Sequence, residues 1–173
     1  GRYRFINWTV FGNSNNFTTR IISNTSYALS SFPALIDWNV GLGATVSTLE
    51  RSGTWIGTTV RGFNMITGQS IWNVSVPETC YSSSTAVADH GKVGFVTQQG
   101  YSMALDLSTG AVAWRGEMTS YPWDSSGFGA YSVSSAYGMM IRYAYSGVYA
   151  IDWDTGKTVW KFESPAQSPY EAP

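Results

Sequence analysis

Along most of the chain short strand-like runs rich in apolar, aromatic and β-branched residues are separated by turn residues. No window sustains the i, i+3, i+4, i+7 stripe of a helix. The pattern predicts an all-β protein. It is clearest over residues 85–115, where short strand-like runs at 85–88, 93–98, 101–105 and 111–115 are punctuated by Asp89-His90-Gly91-Lys92, Gln99-Gly100 and a Thr-Gly turn. These read as four antiparallel strands joined by tight turns. The scheme recurs at 131–135, 139–143, 147–151 and 158–162, and residues 54–60 open an earlier copy. Residues 1–27 mix Tyr3, Phe5, Ile6, Trp8, Val10 and Phe11 with polar, Asn-rich stretches, enough for one or two strands. Residues 164–173 hold three prolines and read as a connecting loop.

An eleven-residue phrase underlies the repetition. Ala104-Leu105-Asp106-Leu107-Ser108-Thr109-Gly110-Ala111-Val112-Ala113-Trp114 is one copy, and Ala150-Ile151-Asp152-Trp153-Asp154-Thr155-Gly156-Lys157-Thr158-Val159-Trp160 is another. A worn copy runs from Gly62 to Trp72, with Gly for Ala and Asn64 for Asp. The three tryptophans stand 42 and 46 residues apart, a period typical of propellers with four-stranded blades. Each copy makes sense as a hairpin. The Asp or Asn oxygen can accept from nearby backbone N–H groups, and Gly supplies the positive φ that closes the turn. The second strand then ends on Trp, a side chain suited to burial between units. Ala28 and Trp38 share the phrase's offset without its Asp or Thr-Gly, and Pro33-Ala34 stands at the turn; that stretch reads equally as a decayed copy or a coincidence.

The phrase resembles the tryptophan-docking repeat of quinoprotein dehydrogenases and related PQQ-like β-propellers, over roughly residues 49–163. In that family the Trp of one blade packs against the next. The resemblance therefore implies structural docking roles for Trp72, Trp114 and Trp160, with Asp106, Asp152, Gly68, Gly110 and Gly156 shaping the turns. The expected fold is a PQQ-like β-propeller segment over 1–173: a partial blade at about 1–48, blades at 49–79, 80–116 and 130–163, and the loop 164–173. Three clear blades do not close a ring. The chain thus reads as part of a longer propeller, or as one closed by other copies, and its start at Gly1 reads as processed or truncated.

Composition narrows the function classes. Charged residues make up 12%, aromatics 16%, and the net charge is −1 with no basic stripe, which recommends neither disorder nor a nucleic-acid partner. No stretch approaches the roughly 18 consecutive apolar residues of a membrane-spanning helix. Cys80 stands alone, excluding an internal disulfide, and reads as a small semi-buried hydrophobe. Four Asn-x-Ser/Thr sequons, at Asn7, Asn16, Asn24 and Asn73, exceed the roughly two that composition alone produces. They point to export from a cell that N-glycosylates, a eukaryote or an archaeon; chance sequons in Asn- and Thr-rich loops are the plain alternative.

Candidate chemistry is sparse. The family resemblance implies pyrroloquinoline quinone over a calcium ion for its enzymes, with an Asp base, and an adjacent cysteine pair in the alcohol dehydrogenases; one cysteine cannot make that pair. Asp89, Asp106, Asp152, Asp154 and Glu163 fall in or beside turns and strand ends, leaving Asp37, Glu50, Glu78, Glu117, Asp124 and Glu171 scattered. His90, the only histidine, sits in a turn and reads as exposed. The insertion at 117–129 carries Trp123 and Asp124, a possible ligand loop, Asp124 reading first as a turn carboxylate. Trp8 and Trp55 read as blade core, and Trp153 as exposed beside its hairpin turn. The function expected is a non-catalytic structural or interaction module, secreted or at the cell surface, whose partners are other blades or copies and a surface protein or glycan. The alternatives are a part of a PQQ- and calcium-dependent dehydrogenase, or a carbohydrate- or peptide-binding propeller.

Overall fold

The computed structural model describes residues 2–13, 16–28, 35–80, 86–117, 132–144 and 147–163, the first two strands by their backbone. Those two, β1 (Arg2–Asn13) and β2 (Asn16–Ala28), pair as a long antiparallel ribbon with an irregularity between Asn7 and Trp8. Three four-stranded antiparallel sheets follow. The first holds β3 (Leu35–Asp37), β4 (Leu42–Arg51), β5 (Thr54–Asn64) and β6 (Ser70–Val76). The second holds β7 (Ala86–Asp89), β8 (Lys92–Val96), β9 (Ser102–Asp106) and β10 (Val112–Arg115). The third holds β11 (Ser132–Ala136), β12 (Met139–Ala144), β13 (Gly147–Asp152) and β14 (Thr158–Glu163). Within each sheet every strand pairs with its neighbour in sequence, and the described residues contain no helix.

The first sheet begins earlier than expected. It starts at Leu35, so the blade boundary placed at 48/49 falls inside β4. The cause is β3, three residues long and joined to β4 by Trp38-Asn39-Val40-Gly41, a turn outside the phrase that no repeat residue marks. Gly41, at φ 69°, closes that turn by donating its N–H to the Asp37 carbonyl at 3.0 Å. Trp55 also departs from its core reading and is 42% exposed. The β4–β5 hairpin outruns β6, which pairs with β5 only from Thr58 onward, and Trp55 lies on that overhang.

Strand β3 lies beside β7, and β7 beside β11, so the sheets fan out from their first strands. The middle sheet is consequently covered on both faces, and the period of two serves two cores. On β9, Met103 and Leu105 join a cluster with Val46, Val60 and Phe95 toward the first sheet. Ala104, between them, joins Met140, Ile151 and Trp153 toward the third. Gly94 on β8 is as small as this permits: a Cβ there would lie 2.8 Å from Met140 Sδ and 2.9 Å from the Trp153 ring.

One contact recurs between sheets. The Trp72 indole Nε1–H donates to the Leu107 carbonyl at 2.8 Å, and its ring covers Gly110 so closely that a Cβ would lie 2.8 Å from Cδ2. Trp114 repeats the geometry one sheet on. Its Nε1–H donates to the Trp153 carbonyl at 2.7 Å, and a Cβ on Gly156 would lie 2.6 Å from its Cδ2. Gly110 and Gly156 have φ of 76° and 71°, a conformation that costs any other residue about 1–2 kcal/mol. Trp72 further requires Gly62, where a Cβ would lie 2.1 Å from its Cε2. This explains the Gly-for-Ala change in the worn copy. Trp160, on the last strand, is 44% exposed, as are its neighbours Val159 and Phe162 to a larger degree.

The three phrase turns are built alike. Asp106 Oδ1 accepts from the Ser108 and Thr109 N–H groups at 2.8 and 2.9 Å, and the Gly110 N–H returns to the Asp106 carbonyl at 2.8 Å. Thr109 Oγ1 donates to Asp106 Oδ1 at 3.0 Å and accepts the Ala111 N–H at 3.2 Å. Asp152 does the same with Asp154 and Thr155, and Asn64 accepts from Ile66 and Thr67. Gly68 takes the third glycine position at φ 71° and is buried. The Ser108 hydroxyl, opposed by partial burial and joined by Thr109, holds the Asp106 carboxyl below the ordinary Asp range.

Two outcomes follow from this packing. Trp114→Ala should cost about 3–5 kcal/mol, as truncating a buried Trp does, and Gly156→Ala at least about 2 kcal/mol by strain and displacement of the ring. Urea melts read both; unchanged midpoints would contradict the contact's weight. Asp106 is stabilising while ionised, so its contribution is present above the ordinary Asp value of about 4 and fades as pH falls through its lower folded value. Asp106→Asn keeps the acceptor, as Asn64 shows, and should cost about 0.5–1.5 kcal/mol at pH 7 but progressively less below pH 4. A penalty constant with pH would refute that reading.

Candidate functional site

The sheets have two unlike ends. One carries the first turn of each sheet and the phrase turns; the other carries the second turns and the ends of β6 and β10, from which the chain leaves for the next sheet. At the first end, His90-Gly91 and Tyr137-Gly138 join their strands with positive φ at both central residues, the twist that two-residue hairpins require. The first residue of each first turn carries a ring: Trp38, His90 and Tyr137. Trp38 is 74% exposed and Tyr137 96%.

Beside these turns lies a cleft of about 460 Å³, lined by Ile36, Asp37, Trp38 and Asn39 from the first sheet, Val87, Ala88 and Asp89 from the second, and Ser135 from the third. Asp37 is buried at the end of β3, and its two oxygens divide their work. Oδ1 accepts the Asn39 N–H at 2.9 Å, while Oδ2 crosses to the second sheet and accepts the Gly91 N–H at 2.7 Å. Asp89 holds the matching position on β7. It accepts the His90 N–H at 2.8 Å on Oδ1 and the Ser135 hydroxyl of the third sheet on Oδ2. Burial pushes the Asp89 carboxyl up, but Ser135 and His90 outweigh it and leave the group below its ordinary range. The His90 ring stacks on Trp153 at 6.1 Å between centroids, with Nδ1 3.2 Å from Asp89 Oδ1. Trp153 is correspondingly buried, at 1% exposure, against the expectation of an exposed ring beside its turn. Its Nε1–H donates to Ser135 Oγ at 2.9 Å while its carbonyl receives Trp114.

The opposite end holds a second polar group. Glu78, 5% exposed, accepts from Arg115 Nε at 2.5 Å and from the Tyr101 hydroxyl at 3.0 Å on one oxygen. Burial pushes its carboxyl up, yet Arg115 and Tyr101 draw it below the ordinary Glu range. The neighbouring backbone is tied to the first sheet. Thr58 Oγ1 donates to the Glu78 carbonyl and accepts the Cys80 N–H, both at 2.7 Å, and Thr48 donates to the Cys80 carbonyl at 3.0 Å. Cys80 is fully buried there. These are the fastenings of a sheet-to-sheet crossing.

The residues singled out from sequence are thus dispersed. Asn73 is exposed on β6, while Asn7, Asn16 and Asn24 lie on β1 and β2. Trp123 and Asp124 lie outside the described residues. Asp37 and Glu78 were passed over because neither has a ligand-like neighbour in sequence. The signal for Asp37 was its place: Asp37-Trp38 and Asp89-His90 both end a first strand before a turn. Calcium under a quinone would need several converging oxygen donors. Among the described residues no three His, Cys, Asp or Glu converge to hold a metal. The described residues do not fit that group. No helix among them is long and apolar enough to cross a membrane.

Known proteins give the family. The structure of BamB from Moraxella catarrhalis superposes at a TM-score of 0.60 with 20% identity, over 83% of this chain and 40% of that one. The structure of HIRA(644-1017) superposes at 0.52 with 12% identity, over 81% and 43%, and the computationally designed Ika8 protein at 0.53 with 10%, over 88% and 48%. At these identities the likeness is one of fold, and the chain spans less than half of each. No curated protein matches it. A family model described as outer membrane protein assembly factor BamB matches residues 57–171. With three consecutive four-stranded sheets joined by the repeated phrase, the chain belongs to this PQQ-like β-propeller family.

Proposed function

We propose that the protein is a non-catalytic structural or interaction module built from propeller blades, exported and N-glycosylated, working outside the cell or at its surface. The observation that carries this is where the repeat's chemistry goes. The distinctive residues of the phrase, Trp, Asp, Thr and Gly, are spent on sheet-to-sheet contacts and turn closure rather than turned toward a reacting centre. In this reading Trp72 and Trp114 are docking residues, and Trp160 awaits the equivalent glycine turn of a further blade that extends the ring. A relative whose name is that of an assembly factor makes interaction the natural analogue. Asn73 is exposed on the outermost strand of its sheet, where a glycan has room.

Two measurements test it. Full-length protein supplied with pyrroloquinoline quinone and calcium should reduce no dye with alcohols; substrate-dependent turnover would overturn the non-catalytic reading. Protein from its native host should lose mass on enzymatic or chemical deglycosylation and yield glycopeptides at Asn7, Asn16, Asn24 or Asn73. An unchanged mass would remove glycosylation from the proposal.

A further inference from the structure

We propose that the cleft among the first strands binds an ammonium or guanidinium group carried by a basic peptide segment of a partner protein. The inference rests on the interaction reading above and specifies its chemistry. Both charged groups lining the cleft are carboxylates, Asp37 and Asp89. Their bonded partners, the backbone N–H groups of Asn39, Gly91 and His90 and the Ser135 hydroxyl, are neutral. Among the described residues no lysine or arginine pairs with either acid. Lys92, next to the turn, reaches Asp154 instead at 3.0 Å, and His90 balances Asp89 only when protonated. Two carboxylates at the meeting point of three sheets, Asp37 buried and Asp89 part-buried, therefore lack a Lys or Arg partner.

The rest of the cleft suits one. Trp38, three-quarters exposed at its rim, offers an aromatic face to a cation, and Tyr137 stands exposed on the adjacent first turn two residues beyond Ser135. Ile36, Val87 and Ala88 supply apolar wall for the methylene stem of Lys or Arg. An acidic ligand would meet like charge. A neutral sugar could stack on Trp38, but it would leave both carboxylates uncompensated.

The test is calorimetric titration of the full chain with blocked tetralysine and tetra-arginine, with blocked tetraglutamate and a neutral tetrasaccharide as comparisons. Blocked single lysine and arginine tell a lone cation from a chain. The basic peptides should bind more tightly than the single residues, and tetraglutamate and the sugar should not bind. Asp89→Asn, which keeps one acceptor for the His90 N–H and turns an amide donor toward the Ser135 hydroxyl, and Trp38→Ala, which removes an exposed ring, should each weaken binding about tenfold. Glu50→Gln, an exposed acid at the other end of the sheets, should leave it unchanged, and thermal melts should show all three variants folded. Absence of basic-peptide binding, indifference to Asp89→Asn and Trp38→Ala, binding no tighter than that of the single residues, or Trp38-dependent binding of the sugar alone would each overturn the proposal. A negative titration beside a blank dye-reduction assay sinks the cleft site alone; dye reduction sinks the interaction reading itself.

Discussion

Everything in this fold depends on a tryptophan ring lying on a glycine of the next sheet. A four-stranded sheet with apolar residues on both faces cannot bury them by itself; it needs a neighbour on each side. The contact that sets the spacing between neighbours is Trp72 on Gly110 and Trp114 on Gly156, each locked by an indole hydrogen bond to a backbone carbonyl. Any side chain at the glycine would hold the sheets apart. The turn's Asp and Thr exist to present that glycine, and its positive φ keeps its face open to the ring.

The same constraint explains how much could be read from the chain. The Ala-x-Asp-x-x-Thr-Gly-x-x-x-Trp phrase fuses hairpin closure with sheet packing, so the all-β class, the four-strand scheme and most strands of the second and third sheets were legible. What failed to show lies outside the phrase. The short β3 has no repeat residue to mark it, and the blade boundary slid into β4. Trp153 looked exposed because it adjoins a turn, yet Leu107 at the same position of the other copy is fully buried. Reading the two together would have assigned both to the core. The cleft was illegible for a different reason: Asp37, Asp89 and Ser135 come from three sheets and meet only once those sheets fan out from their first strands.

The two ends of the sheets accordingly carry different work. The end with the crossings is fastened by Thr58, Thr48 and the Glu78–Arg115 pair, although the second Glu78 oxygen, Oε2, is buried without a partner among the described residues. The end with the tight turns leaves the Trp38 and Tyr137 rings exposed and, among the described residues, two carboxylates without a Lys or Arg partner. Backbone held in positive φ at Tyr137 leaves its ring exposed, with local strain that a second glycine would avoid, while the His90 ring, on the same kind of turn, stacks back on Trp153. That end is where the proposed recognition would take place.

The most direct test of the central contact is a double-mutant cycle pairing Trp114→Phe with Gly156→Ala, read by urea unfolding. Trp114→Phe removes the indole donor and shrinks the ring; Gly156→Ala pushes the ring away. If ring and glycine form one joint, the double variant loses less than the sum of the single losses, with a coupling of about 0.5–3 kcal/mol. Strict additivity would mean that the two residues stabilise the fold separately, and that something other than this contact holds the sheets together.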